Sequence, residues 1–200
     1  MVNRVVQEVR IVGGSLRGRK LGFPDVPGLR PTPNRVRETL FNWLAPHISG
    51  MRALDLFAGS GALGIEAISR GAMQAVLVEF SPVAAKQLRE SVIRLGLGNA
   101  RVESADALAY LKRAMSPGGE GPFDLIFLDP PFDSGLQEPA LQLISRSGAL
   151  ANGGFCYIES PRRAELPQLP DGWVLHRSGT AGEVGYHLLH VPQSDLPGNV

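Results

Sequence analysis

The stretch Arg52–Ala67, RALDLFAGSGALGIEA, constrains this chain most: an apolar run enters the turn Gly59-Ser60-Gly61-Ala62-Leu63-Gly64 and leaves as a helical pattern. A strand that feeds such a turn and then a helix is the opening unit of a doubly wound sheet. Its glycines permit the tight turn and let a ligand come close to the backbone.

The alternation continues beyond it. Strand patterns fall at Ala53–Phe57, Ala75–Glu79, Ala100–Glu103, Phe123–Asp129 and Gly154–Glu159, and helical ones at Ala62–Arg70, Pro82–Leu95, Ala105–Ala114 and Glu138–Ser147. Short connections between alternating elements imply a parallel sheet covered on both faces. Two further strand patterns, Val174–Ser178 and Tyr186–Val191, have no helix between them, so one terminal strand is expected to run antiparallel. The expected fold is α/β and Rossmann-like, with a mostly parallel seven-stranded sheet containing one antiparallel strand.

Ahead of the sheet, Val9–Val12 and Gly18–Phe23 flank Gly13-Gly14-Ser15 and predict a small hairpin with a basic tip. Arg30-Pro31-Thr32-Pro33 is extended. Thr32 is the expected N-cap and Pro33 the first residue of a helix through His47, with Val36, Leu40, Trp43 and Leu44 on one face. Residues 1–33 are thus expected to form an extension, residues 34–192 the main domain and residues 193–200 a mobile tail.

Charge separates these parts. Residues 1–37 hold eight basic and two acidic residues, net +6, while the other 163 carry −5. A basic arm on an acidic body points to nucleic acid. One cysteine, Cys156, excludes an internal disulfide, and four scattered histidines give no metal spacing, so no metal is expected. No run of 18 apolar residues or secretory leader is visible, which makes a cytoplasmic protein without membrane attachment the expectation.

The glycine turn and the acidic strand end Glu79 suit either a dinucleotide or S-adenosylmethionine, since Glu79 can accept from both ribose hydroxyls in each case. Asp55 favours the second. A carboxylate there would oppose a pyrophosphate but suits the cationic methionine portion. Asp106 is placed to accept from an adenine amine or, equally, to cap a helix.

Asp129-Pro130-Pro131-Phe132 closes the apolar run Phe123–Leu128. An exocyclic amine on a nucleobase is a weak nucleophile because its lone pair is delocalised into the ring. The Asp129 carboxylate and the Pro130 carbonyl can each accept one N–H and so localise the lone pair for attack. The prolines stiffen the backbone, and Phe132 offers a face for base stacking, worth roughly 1 to 3 kcal/mol. A rigid turn at a strand end would look the same locally; the glycine motif about seventy residues earlier gives the tetrapeptide its meaning.

RIVGGSLRGRKL, RPTPNRVRETLFNWL, DLFAGSGALGIEA, the Glu79 strand end and DPPF stand in the order and spacing of a known family over residues 9–191. The chain resembles the bacterial 16S ribosomal RNA guanine-N2 methyltransferases of the RsmD type. That resemblance implies the class I S-adenosylmethionine-dependent methyltransferase fold, S-adenosylmethionine as donor and N2-methylguanine in 16S rRNA as product. The implied partner is the small ribosomal subunit or its assembly intermediate. Single-domain size and the absence of an obvious exposed apolar helix make a monomer the expectation. The resemblance places Asp55, Phe57, Gly59, Gly61, Glu79, Asp106 and Thr32 at the cofactor, and Asp129, Pro130, Pro131 and Phe132 at the target base. Arg10, Arg17, Arg19, Lys20, Arg30 and Arg35 are left facing RNA. Three alternatives stay open from residues alone: a DNA adenine-N6 or cytosine-N4 methyltransferase, a protein-amide methyltransferase, and a non-catalytic RNA-binding assembly factor.

Overall fold

The computed structural model describes residues 6–25 and 31–193. Its chain order is β1 (Val6–Arg10), β2 (Lys20–Pro24), α1 (Asn34–Leu44), β3 (Arg52–Asp55), α2 (Ala62–Ser69), β4 (Gln74–Glu79), α3 (Pro82–Leu95), β5 (Ala100–Ser104), α4 (Ala107–Ala114), β6 (Phe123–Leu128), α5 (Gln137–Ser147), β7 (Leu150–Pro161), β8 (Val174–Ala181) and β9 (Val184–His190). A 3-10 turn, Phe132–Ser134, precedes α5.

β1 and β2 form a two-stranded antiparallel sheet. The other seven strands make one sheet in the order β5-β4-β3-β6-β7-β9-β8. β9, the last strand of the chain, alone opposes the rest, as expected, and it lies between β7 and β8. The order reverses between β3 and β6, so a crevice opens beyond the carboxyl ends of those two strands.

Strand alternation divides the core. Leu54, Val76 and Ile126 pack with Tyr110 of α4 and Leu141 and Ile144 of α5. Ala53, Ala75, Leu125 and Phe127 pack on the other side with Val36, Leu40, Phe41 and Leu44 of α1. The period of two puts neighbouring residues of one strand into different layers. A third cluster joins Val9, Ile11, Leu21 and Phe23 of the hairpin to Ile65 of α2 and to Leu88 and Val92 of α3. The hairpin is therefore docked through an apolar face.

Several element ends differ from the sequence reading. The hairpin strands stop at Arg10 and resume at Lys20, because residues 11–19 form a longer turn that bonds to α2: Val12 and Gly13 donate to Glu66, and Leu16 to Ser69. Gly14 takes φ +74°, and a Cβ there would lie 1.9 Å from the Ser69 carbonyl oxygen. Helix α1 ends at Leu44, short of His47. Its cap position is Pro33, with no side-chain cap bond, so the Thr32 hydroxyl is not used as an N-cap. β7 begins four residues before Gly154, across a register shift against β6.

Candidate active site

A cleft of about 1060 Å³ opens at the crevice between β3 and β6. Asp55 ends β3 and is buried, its Oδ2 accepting from the Gly64 N–H at 3.0 Å. Burial pushes its carboxyl up to about 7, opposed by the Gly64 and Phe57 N–H groups and reinforced by Glu79. Gly59 and Gly61 have φ +50° and +77°, the left-handed conformation the turn into α2 requires. A Cβ on Gly64 would lie 2.2 Å from Leu77 Cδ2, so only glycine lets α2 start this close to the sheet.

Glu79 ends β4 and is held by two backbone donors, Gly59 N–H at 2.8 Å and Ser81 N–H at 2.7 Å. Each oxygen keeps further acceptor capacity toward the cleft. Asp106 caps α4, accepting from Ala109 N–H at 2.8 Å, and also lines the cleft. The capping reading accounts for one of its oxygens. Phe57 lines the wall, half-buried.

Asp129 follows β6 and shares the cleft with Pro130, Pro131 and Phe132, the last 48% exposed. The Thr32 hydroxyl donates to Asp129 Oδ2 across a long 3.5 Å. Burial, then the nearby Glu159 and Asp55 carboxylates, hold the Asp129 carboxyl well above the ordinary carboxylate range. Glu159, on β7, is buried, and its Oε1 accepts from the Tyr157 hydroxyl at 2.7 Å. Its own carboxyl is raised by burial, opposed by the Tyr157 and Thr32 hydroxyls.

Thr32 is placed from behind. Its carbonyl accepts from Arg37 Nε at 3.1 Å, and Arg37 is fully buried in contact with Glu66. Arg37 counts toward the basic arm in sequence but is unavailable to RNA. Lys20 is paired with Glu8 at 2.6 Å, so its charge is also partly committed. Arg10, Arg17, Arg19 and Arg35 are exposed, while Arg30 lies outside the described residues.

Several cleft residues escaped the sequence reading. Phe80 follows Glu79 and is 77% exposed. Arg162 and Arg163, just beyond β7, are the only cations lining the cleft among the described residues. Glu159 is another; its signal was available, an acidic residue at the end of the strand pattern Gly154–Glu159. No group of three or more His, Cys, Asp or Glu side chains among the described residues could hold a metal, and no helix there is long and apolar enough to cross a membrane.

The model of the family described as conserved hypothetical protein 95 matches residues 9–190. The chain is 48% identical over 181 residues to ribosomal RNA small subunit methyltransferase D of Escherichia coli, covering 90% of this chain and 89% of that protein. The Haemophilus influenzae protein of the same name is 40% identical over 183 residues, covering 90% and 93%. A solved Escherichia coli structure described as a methyltransferase superposes with TM-score 0.81 at 45% identity, covering 94% of this chain and all of that one.

Proposed function

The chain belongs to the RsmD-type family of small-subunit ribosomal RNA methyltransferases, and on that footing we propose that it methylates the exocyclic N2 amine of a guanine in 16S rRNA, with S-adenosylmethionine as donor. The observation that carries this reading is the placement of Asp129 in one cleft with Asp55, Glu79 and the glycine turn. An amine-orienting acceptor and a cofactor cradle therefore open onto the same space.

The cradle fits the donor chemically. Two glycines with left-handed φ leave backbone open for close approach, Glu79 retains acceptors for a ribose diol, and the buried Asp55 carboxylate has no cation of its own among the described residues. A ligand with an ammonium group would supply one. When bound, S-adenosylmethionine provides an electrophilic methyl on a sulfonium. Asp129 and the Pro130 carbonyl orient the amine toward it, and Phe132 supports the base by stacking. The raised Asp129 carboxyl is suited to take the proton that the methylated nitrogen must lose.

In this reading residues 1–33 and Arg35 form the RNA-contacting extension, residues 34–192 hold the chemistry, and the protein works as a cytoplasmic monomer on the small subunit or its assembly intermediate. Exposed Arg10, Arg17 and Arg19 on the hairpin support the first assignment. Reaching N2 in a paired guanine would require extruding the base at a few kcal/mol, so an unpaired nucleotide is the favoured target. The test is labelled-methyl transfer to small subunits lacking the modification, read by nucleoside mass spectrometry. N2-methylguanosine in 16S rRNA is the expected product; label in DNA or protein instead would overturn the reading.

A further inference from the structure

Asp129, Pro130 and Phe132 would suit any base that carries an exocyclic amine, adenine and cytosine included. The neighbouring strand adds a feature that would not. Leu128 of β6 pairs with Ile158 of β7 in parallel register, which places Asp129 and Glu159 at the next level on adjacent strands. Both line the cleft, and Thr32 faces both.

Glu159 is only 5% exposed and has no ion-pair partner among the described residues. Its backbone is pinned where the Gln137 side chain donates to the Glu159 carbonyl at 2.5 Å, and Oε1 is occupied by the Tyr157 hydroxyl. The other oxygen retains acceptor capacity for a group entering the cleft. The amine-orienting step uses Asp129 and Pro130, and leaves Glu159 unexplained.

The three amine-bearing bases differ at the ring nitrogen beside the amine. Guanine presents N1–H, a donor adjacent to its N2 donors. Adenine and cytosine present a bare ring nitrogen next to theirs, which is an acceptor. We propose that Glu159 selects guanine by accepting its N1–H while Asp129 and the Pro130 carbonyl take the two N2 hydrogens. This inference rests on the amine-methylation reading above and extends it to the identity of the base. An acceptor brought against the ionised Glu159 oxygen leaves two buried acceptors facing each other, a mismatch relieved only by protonating the carboxyl, whereas guanine N1–H is accepted by the ionised form directly; polar sites reject analogues by such mismatches.

The test needs no variant at first. Small-subunit particles reconstituted with 16S rRNA carrying 2-aminopurine at the target nucleotide keep the N2 amine but offer a ring acceptor at N1. Wild-type protein should methylate the guanine particle and lose at least about 100-fold in kcat/KM on the 2-aminopurine particle. Glu159→Gln, whose side-chain amide can donate, should lose activity on guanine and move the guanine to 2-aminopurine ratio toward 1. Its cofactor affinity, measured by calorimetry, should stay within about threefold of wild type and so report an intact cleft. Equal wild-type activity on the two particles would overturn the inference, as would an unchanged ratio in Glu159→Gln. Wild-type protein inert on the guanine particle would overturn the functional reading, and the inference with it.

Discussion

Arg37 Nη1 donates to Glu66 Oε2 at 2.9 Å, and both side chains are completely buried. Glu66 also accepts from the Val12 and Gly13 backbones and from Arg70, while Arg37 donates to the carbonyls of Thr32 and Arg10 and to Asn34. One ion pair thus binds the hairpin, α1, α2 and the cleft wall. Removing Arg37 leaves the buried Glu66 with Arg70 as its one remaining counter-charge and takes the donor from the Thr32 and Arg10 carbonyls, so Arg37→Met is expected to cost about 3 kcal/mol or more in urea denaturation. Arg37→Lys should restore little, because an ammonium cannot reproduce the planar fork that reaches four partners.

Asp129→Ala removes the acceptor from the amine half and leaves the glycine turn intact. Single-turnover methyl transfer should slow roughly 10² to 10³-fold, within the range for a positioned proton acceptor. Calorimetric affinity for S-adenosylmethionine should hardly change, and loss of that affinity would show that the residue belongs to the cofactor half.

Asp55 gives a pH signature. Its folded carboxyl is raised to about 7 from an unfolded value near 3.8. The native state therefore holds a proton that the unfolded chain releases, and the associated stability is present below about pH 3.8 and lost as pH rises through 7. Asp55→Asn should stabilise the ligand-free protein at pH 8, on the order of 2 to 4 kcal/mol, with little effect at pH 4. In the wild type, affinity for the cationic donor should weaken as pH falls from 8 to 5.5, since the carboxylate is the form that attracts it; a flat profile in calorimetry would contradict this role.

Gly64→Ala tests the close approach of α2 to the sheet. With Leu77 Cδ2 at 2.2 Å and Asp55 Cβ at 3.2 Å from the new methyl, something must shift. A loss of about 1 to 3 kcal/mol in thermal stability is expected, along with weaker cofactor binding, as α2 moves off β3.

Salt dependence separates the two cationic regions. With about six phosphate contacts to a largely single-stranded target, log affinity should fall with log salt at a slope near −4. Arg17→Ala with Arg19→Ala at the hairpin turn, and Arg162→Ala with Arg163→Ala at the cleft mouth, should each make the slope shallower by about 1 to 1.5. A pair that leaves the slope unchanged makes no phosphate contact.

The parts of the cleft set by local pattern were legible in the sequence. Asp55, the glycine turn, Glu79 and Asp129 all sit where a strand ends, and strand ends can be read from apolar runs. Arg37 could not be read this way. Within Asn34–Leu44 it resembles any helical arginine, and only the arrival of Glu66 from α2 and the hairpin backbone makes it a core residue. Thr32 looked like a cap because Pro33 follows it; the competing bond to Asp129 comes from a residue 97 positions away. The hairpin ends were misplaced for the same reason, since residues 11–19 follow their bonds to α2 more than their own strand propensity.

Helix α2 carries the glycine turn at one end and, through Glu66 and Ser69, the hairpin turn at the other. Its eight residues span about 12 Å. In the function proposed above, RNA held by Arg17 or Arg19 would be measured off against the methyl donor by a fixed ruler and not by a swinging arm. Lengthening α2 by one turn would leave both grips chemically intact and put them out of step, so the same RNA could be held firmly and still present the wrong nucleotide.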